Sequence, residues 1–150
     1  MKTALAIALA IIAALSTHSG HPGSGPQCVS RGLLPDQVCT PGSVMTDDLA
    51  IICRSPAKDR RHVTESTRAE VFRAYGIPYP AQRELYVLDH LIPIELGGDN
   101  SVANLWPQDP AEALTKDGVE DLFHRQVCSG RVSLEEAQKS IAADWTATIR

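Results

Sequence analysis

Residues 88–107 read Leu88-Asp89-His90-Leu91-Ile92-Pro93-Ile94-Glu95-Leu96-Gly97-Gly98-Asp99-Asn100-Ser101-Val102-Ala103-Asn104-Leu105-Trp106-Pro107, and this stretch decides the fold. Leu85 to Leu91 is apolar around the pair Asp89-His90, which predicts a strand carrying two titratable groups that must find partners. Gly97-Gly98-Asp99-Asn100 is a strong turn signal, and Val102 to Trp106 predicts the returning strand. Asn104 falls on that strand, where its side-chain amide is able to bridge backbone groups of the loop.

Helices are predicted on either side of this hairpin. Upstream, Thr67 with Glu70 forms a capping box for a helix through Tyr75, and Gly76 and Pro78 stop it. Pro35 to Cys53 is expected to be extended or turn-rich, with Pro41-Gly42 as a turn. Downstream, Asp109 caps a helix with Pro110 in its first position, running to about Cys128. Ser133 and Glu136 form a further capping box, opening a helix whose Leu134, Ala137, Ile141 and Trp145 share one face. Trp106, Trp145 and Tyr75 are expected to pack in the core. The predicted class is α+β, with flanking helices around a hairpin-then-helix unit.

The chain of 150 residues has room for one domain, and its net charge of −4 argues against a strongly basic nucleic-acid coat. With 43% hydrophobic and 21% charged residues, the composition is that of a globular protein rather than a disordered one. Charge is unevenly spread. Arg54 to Arg83 holds seven basic residues against three acids, whereas Glu84 to His124 holds nine acids and one Lys. Such a division suits an enzyme acting on phosphates, with acids for a cation and arginines for the anion.

Met1-Lys2, the apolar run Ala4–Leu15 and the small polar residues after it have the layout of a secretory signal peptide over residues 1–20, with cleavage near Ser16 to Gly20. The run is shorter than the ~20 residues of a membrane span, so no membrane attachment is expected after cleavage. Residues 21–34 are expected to form a flexible tether, and 35–150 the domain. Export makes two disulfides the expected state of Cys28, Cys39, Cys53 and Cys128, none of which form a close zinc-type pair. Three pairings are open; Cys28–Cys39 with Cys53–Cys128 is preferred.

The pattern D-H-x-I-P-x-x-x-G-G-x-x-x-x-x-N-L-x-P resembles the core of HNH-type endonucleases of the ββα-metal class. More narrowly, the chain resembles a group of small secreted bacterial HNH-like proteins. The likeness extends to Cys39-Thr40-Pro41-Gly42, Tyr75-Gly76, Asn104 to Gln108, Lys116-Asp117 with Glu120, Val127-Cys128-Ser129-Gly130, Ala137-Gln138 and Asp144-Trp145, covering roughly residues 35–146. It implies a ββα-metal core and a secreted or periplasmic nuclease in which His90 is the general base. Asp89 would be a metal ligand, and Asn104 would brace the loop and orient His90. The implied cofactor is one divalent cation, Mg²⁺ or Mn²⁺ ahead of Zn²⁺ or Ni²⁺. The implied substrate is nucleic acid, DNA ahead of RNA, cleaved by a monomer to a 5′-phosphate and a 3′-hydroxyl.

The chain departs from the family at the helix, where a His or Asn is usual and zinc-binding Cys pairs often flank it. Here Asp117, Glu120 and His124 fall within an arc of about 60° at ~100° per residue. Leu114, Val119, Leu122, Phe123 and Val127 occupy the rest of the wheel. A further metal ligand is expected from that polar face, Glu120 first, then His124 and Asp117. The alternative is a solvated face bearing a Lys116–Glu120 pair at i, i+4. Arg60, Arg61 and His62 are candidates to hold a phosphate, and Glu95 is expected in a loop salt bridge. Two other functions compete with the nuclease: a non-catalytic exported binding module on the same scaffold, and a structural zinc domain built on the cysteines.

Overall fold

Val87–His90 (β1) and Leu105–Gln108 (β2) pair antiparallel, with Val87 opposite Gln108, Leu88 opposite Pro107, Asp89 opposite Trp106 and His90 opposite Leu105. A computed structural model describes residues 27–150, so the expected signal peptide and residues 21–26 lie outside the described residues. Among the described residues this hairpin is accompanied by four α-helices, giving a mixed α+β fold. They are Leu49–Arg54 (α1), Glu65–Ala74 (α2), Pro110–Cys128 (α3) and Leu134–Asp144 (α4). None of the described helices is long and apolar enough to cross a membrane.

Both strands are shorter than expected at their first ends. Arg83–Leu85 forms a tight 3₁₀ turn before β1, and Val102–Asn104 forms another before β2. The second shift has a cause in Asn104. Its Oδ1 accepts from the Ile92 N–H and its Nδ2 donates to the Ile92 carbonyl, both at 2.9 Å. The side chain thereby takes the part of a strand backbone, and the ladder starts at Leu105, three residues later than expected.

The helix starts follow local chemistry. Asp109 accepts from the N–H groups of Ala111 and Glu112 at the head of α3. Ser133 and Glu136 complete the expected capping box of α4. The start of α2 is corrected: Thr64, not Thr67, is the cap, and its hydroxyl accepts from the Thr67 N–H. Its end is as expected. Gly76 adopts φ +69°, and the Ile77 N–H returns to the Phe72 carbonyl. α1 interrupts the stretch expected to be irregular. It is only six residues long, capped by Asp48, and too short to leave a periodic signal.

Two apolar clusters flank the hairpin. Val71, Phe72, Leu88 and Leu105 form one, against α2; Ile52, Val119, Val127, Ala137, Ile141 and Trp145 belong to the other, among α1, α3 and α4. The Cys53–Cys128 disulfide joins α1 to the end of α3, and Cys28–Cys39 closes the early loop. The preferred pairing is the one present, and two disulfides fit an oxidising compartment. The expected tether boundary at residue 34 needs correction. The Cys28 N–H donates to the Ala74 carbonyl, and the Trp145 indole N–H donates to the Leu33 carbonyl at 2.9 Å. Residues 28–34 are therefore fastened to the domain.

Candidate functional site

Side chains alternate along a strand, so Asp89 and His90 leave β1 on opposite faces. His90 turns toward the loop that joins the strands and is 1% exposed. Its Nε2 lies 3.0 Å from Asn100 Oδ1. The orientation of that amide is set twice over: Asn100 Nδ2 donates to the Arg60 carbonyl at 2.8 Å, and the His62 N–H donates to Oδ1 at 3.3 Å. An amide oxygen only accepts, so this network assigns the ring proton to Nε2. Nδ1 keeps its lone pair, is buried, and has no partner among the described residues. Burial lowers the pKa of His90 below the ordinary imidazole value; the Asn100 contact opposes this, Arg61 adds to it, and Asp89 opposes it. The ring is therefore neutral at neutral pH.

The loop is held by Asn104, which is fully buried. Besides its two bonds to Ile92, it donates to the Asp99 carbonyl at 3.0 Å and accepts from the Ser43 N–H at 3.4 Å. The double glycine answers to crowding as well as to the turn. A Cβ on Gly98 would lie 1.8 Å from the Ile92 carbonyl oxygen, and one on Gly97, at φ +83°, would lie 2.1 Å from that of Thr46. Asp99 is drawn to the same place. Burial raises its pKa, but the Ser43 hydroxyl at 2.5 Å and Ser101 outweigh it, leaving the carboxyl below its usual range.

On the other face, Asp89 meets α3. Lys116 Nζ lies 2.8 Å from Asp89 Oδ2 as an ion pair off the hydrogen-bond axis, pairs with Glu120 Oε1, and donates to the His90 carbonyl at 2.7 Å. Lys116 is fully buried. The i, i+4 pair foreseen on a solvated face is thus present but buried, because α3 is rolled from the expected orientation. Ala113, Lys116, Val119, Glu120 and Val127 point inward, while Leu114 is 73% exposed. Burial would lower the Lys116 pKa, yet the two carboxylates more than offset it and raise it. One ammonium does not neutralise two buried acids. Burial together with Asp89 therefore pushes Glu120 up to about 7 against the opposing pull of Lys116.

The remaining candidates are dispersed. His124 Nε2 sits 3.2 Å from the Ile52 carbonyl and 3.5 Å from Cys128 Sγ, beside α1 rather than Asp89. Asp117 is exposed, and burial of its carboxyl, then Asp89, raises its pKa. Arg60 is used internally: its guanidinium donates to the carbonyls of Ile51, Ser55 and Ile94. The His62 ring lies against the Asp59 carbonyl. Arg61 alone of that trio is exposed without such a tie among the described residues, and its charge is felt at both His90 and Asp117.

No family model, curated protein or solved structure matches this chain. The residues expected to hold a divalent cation do not fit one. Asp89 and Glu120 face an ammonium, and His124 belongs to another part of α3. Among the described residues, the one group of three potential ligands is Cys53, His124 and Cys128, whose ligand atoms lie within 4.8 Å of one another. Two of those atoms are joined in a disulfide and offer no thiolate. Two contributors went unforeseen. Asn100 sits inside the turn motif, but its contact with His90 depends on how the loop closes. Lys116 was visible as part of the family likeness and as a helical neighbour of Glu120, with no role assigned to it at the site.

Proposed function

We propose that this chain is an exported phosphodiesterase that cuts nucleic acid, DNA foremost, with His90 as general base and Asn104 as the brace of its loop. The observation that carries this reading is the His90 ring, neutral, with its proton placed on Nε2 and the Nδ1 lone pair unpartnered. Among the described residues Nδ1 is one of seven buried side-chain polar atoms left without a partner, and a reacting water there would satisfy it. In the proposed step Nδ1 takes the proton of that water, whose oxygen attacks phosphorus. Arg61 offsets charge on the phosphate oxygens. The bond from phosphorus to the 3′-oxygen breaks, that oxygen takes a proton from solvent water to become a 3′-hydroxyl, and the phosphate stays on the other fragment as a 5′-phosphate. Hydrolysis of a phosphodiester by an acidic protein requires only brief contact with its substrate, so binding is expected to be weak and salt-sensitive.

The test is degradation of plasmid DNA by the oxidised protein, with Mg²⁺, with Mn²⁺ and with chelator, beside His90→Ala. Loss of cleavage in the variant supports the proposal; equal cleavage by both, or by neither, overturns it. The second reading, a non-catalytic exported binding module, is favoured by one specific observation: an ammonium stands between Asp89 and Glu120.

A further inference from the structure

Lys116 is a fully buried charged group whose chemistry the proposed hydrolysis leaves unused. Its ammonium is surrounded by three oxygens: Asp89 Oδ2 at 2.8 Å, Glu120 Oε1, and the main-chain oxygen of His90 at 2.7 Å. Two carboxylates and a carbonyl converging on one point is the donor set of a hard divalent cation, which would draw such oxygens to ~2.0–2.6 Å. The two quoted distances are those of an ammonium instead, as an ion pair to Asp89 and a hydrogen bond to the His90 carbonyl. Fully buried, Lys116 has no water to replace these partners.

We infer that Lys116 is the resident cation of this site: its ammonium fills the position of a divalent metal between Asp89 and Glu120 and ties the main chain of His90 to α3. Lys116 is thus a positioning residue, acting on β1 through Asp89 and the His90 carbonyl. The inference stands whether or not the chain cleaves nucleic acid, because its consequence is read in metal binding. Removing the ammonium while keeping the oxygens turns the position into a divalent-cation site. A lysine serving merely as packing would confer no such gain.

The experiment is Mn²⁺ binding by the full oxidised protein, followed by electron paramagnetic resonance and by thermal unfolding. Wild type is expected to show no saturable Mn²⁺ binding that Asp89→Asn removes. Lys116→Met is expected to bind one Mn²⁺ at least about tenfold more tightly than wild type, to gain melting temperature with added Mn²⁺, and to lose both in Asp89→Asn/Lys116→Met. If Lys116→Met does not fold without metal, Lys116→Met/Glu120→Gln leaves one buried acid in place of two and is expected to give the same gain more weakly. Two results would overturn the inference: Asp89-dependent Mn²⁺ binding by wild type, or no gain of Mn²⁺ binding in the folded Lys116 variants. Plasmid cleavage, measured separately, reports on His90 and leaves this outcome unaffected.

Discussion

His90 and Asp89 are adjacent in one strand, yet their surroundings solve the burial of a polar group in opposite ways. On the Asp89 face, a lysine, two acids and a carbonyl close on one another, so one ammonium is shared by two carboxylates, with Asp89 Oδ2 held by charge and not by a hydrogen bond. On the His90 face, one nitrogen is fixed by an amide while the other is left without a partner among the described residues. A closed electrostatic cluster rigidifies; an open lone pair costs stability and is kept where chemistry uses it. The difference assigns support to one face of the hairpin and leaves the other as the face on which the proposed reaction would occur.

The largest expected effect falls on the supporting face. Lys116→Ala leaves two buried carboxylates facing each other, and breaking a buried pair costs about 3–5 kcal/mol. His90→Ala should cost less, about 1–2 kcal/mol, while abolishing cleavage. Urea unfolding of both variants beside a plasmid assay checks the contrast. Equal losses of stability would erase the distinction between the faces.

The Cys53–Cys128 disulfide supports the same side of the molecule, closing a separation of 75 residues against 11 for Cys28–Cys39. In the chain-entropy view the longer loop is worth about 4 kcal/mol, and the shorter about 3. Cys53→Ser/Cys128→Ser should therefore lower the urea midpoint more than Cys28→Ser/Cys39→Ser. The reverse order would mean that the early loop, not the α1–α3 junction, is the main brace.

These contrasts also show what the sequence makes legible. Asp109-Pro110 and Ser133 with Glu136 cap helices through bonds spanning three residues, so spacing alone reveals them. Gly97-Gly98 marks the turn, and Asn104 is recognisable as the brace because its role depends on the hairpin to which it belongs. Residues whose roles depend on rotation of a whole element are hidden. The roll of α3 that exposes Leu114 and buries Lys116 is set by the pairing of Asp89 and by the apolar cluster shared with α1 and α4. An apolar tally on a helical wheel misses this, since a lysine stem packs as a hydrophobe once its head is paired. Arg60 was equally hidden: a basic triplet looks alike whether its guanidinium meets phosphate or three carbonyls.

A smaller effect on the same face is readable with pH. Glu120 is raised to about 7 by burial and Asp89, against an ordinary value of 4.5. Between those values the folded state binds a proton that the unfolded state has lost, so stability declines as pH rises through that window. The decline should be on the order of 3 kcal/mol, and Glu120→Gln should flatten it. Denaturant midpoints between pH 4.5 and 7.5 measure both. A wild-type midpoint that climbs over this range would place the surplus proton elsewhere.

The His90 face should respond with the opposite sign and more weakly. Burial lowers its pKa from 6.5, so on acidification the unfolded chain takes up a proton before the folded one does. The contribution of His90 to stability is therefore complete above pH 6.5 and is lost as pH falls from there through its folded value. The same proton blocks the lone pair that the proposed hydrolysis uses. Cleavage should hence be flat above pH 6.5 and fall in acid, with its midpoint below that of an ordinary imidazole. Asn100→Ala sharpens the point. Without the amide oxygen, the ring proton is free to sit on either nitrogen, which lowers the plateau rate, whereas the Lys116 cluster, untouched, keeps the Glu120-dependent decline in stability. A plateau unchanged in Asn100→Ala would remove the tautomer from the argument and leave burial alone to account for the His90 ring.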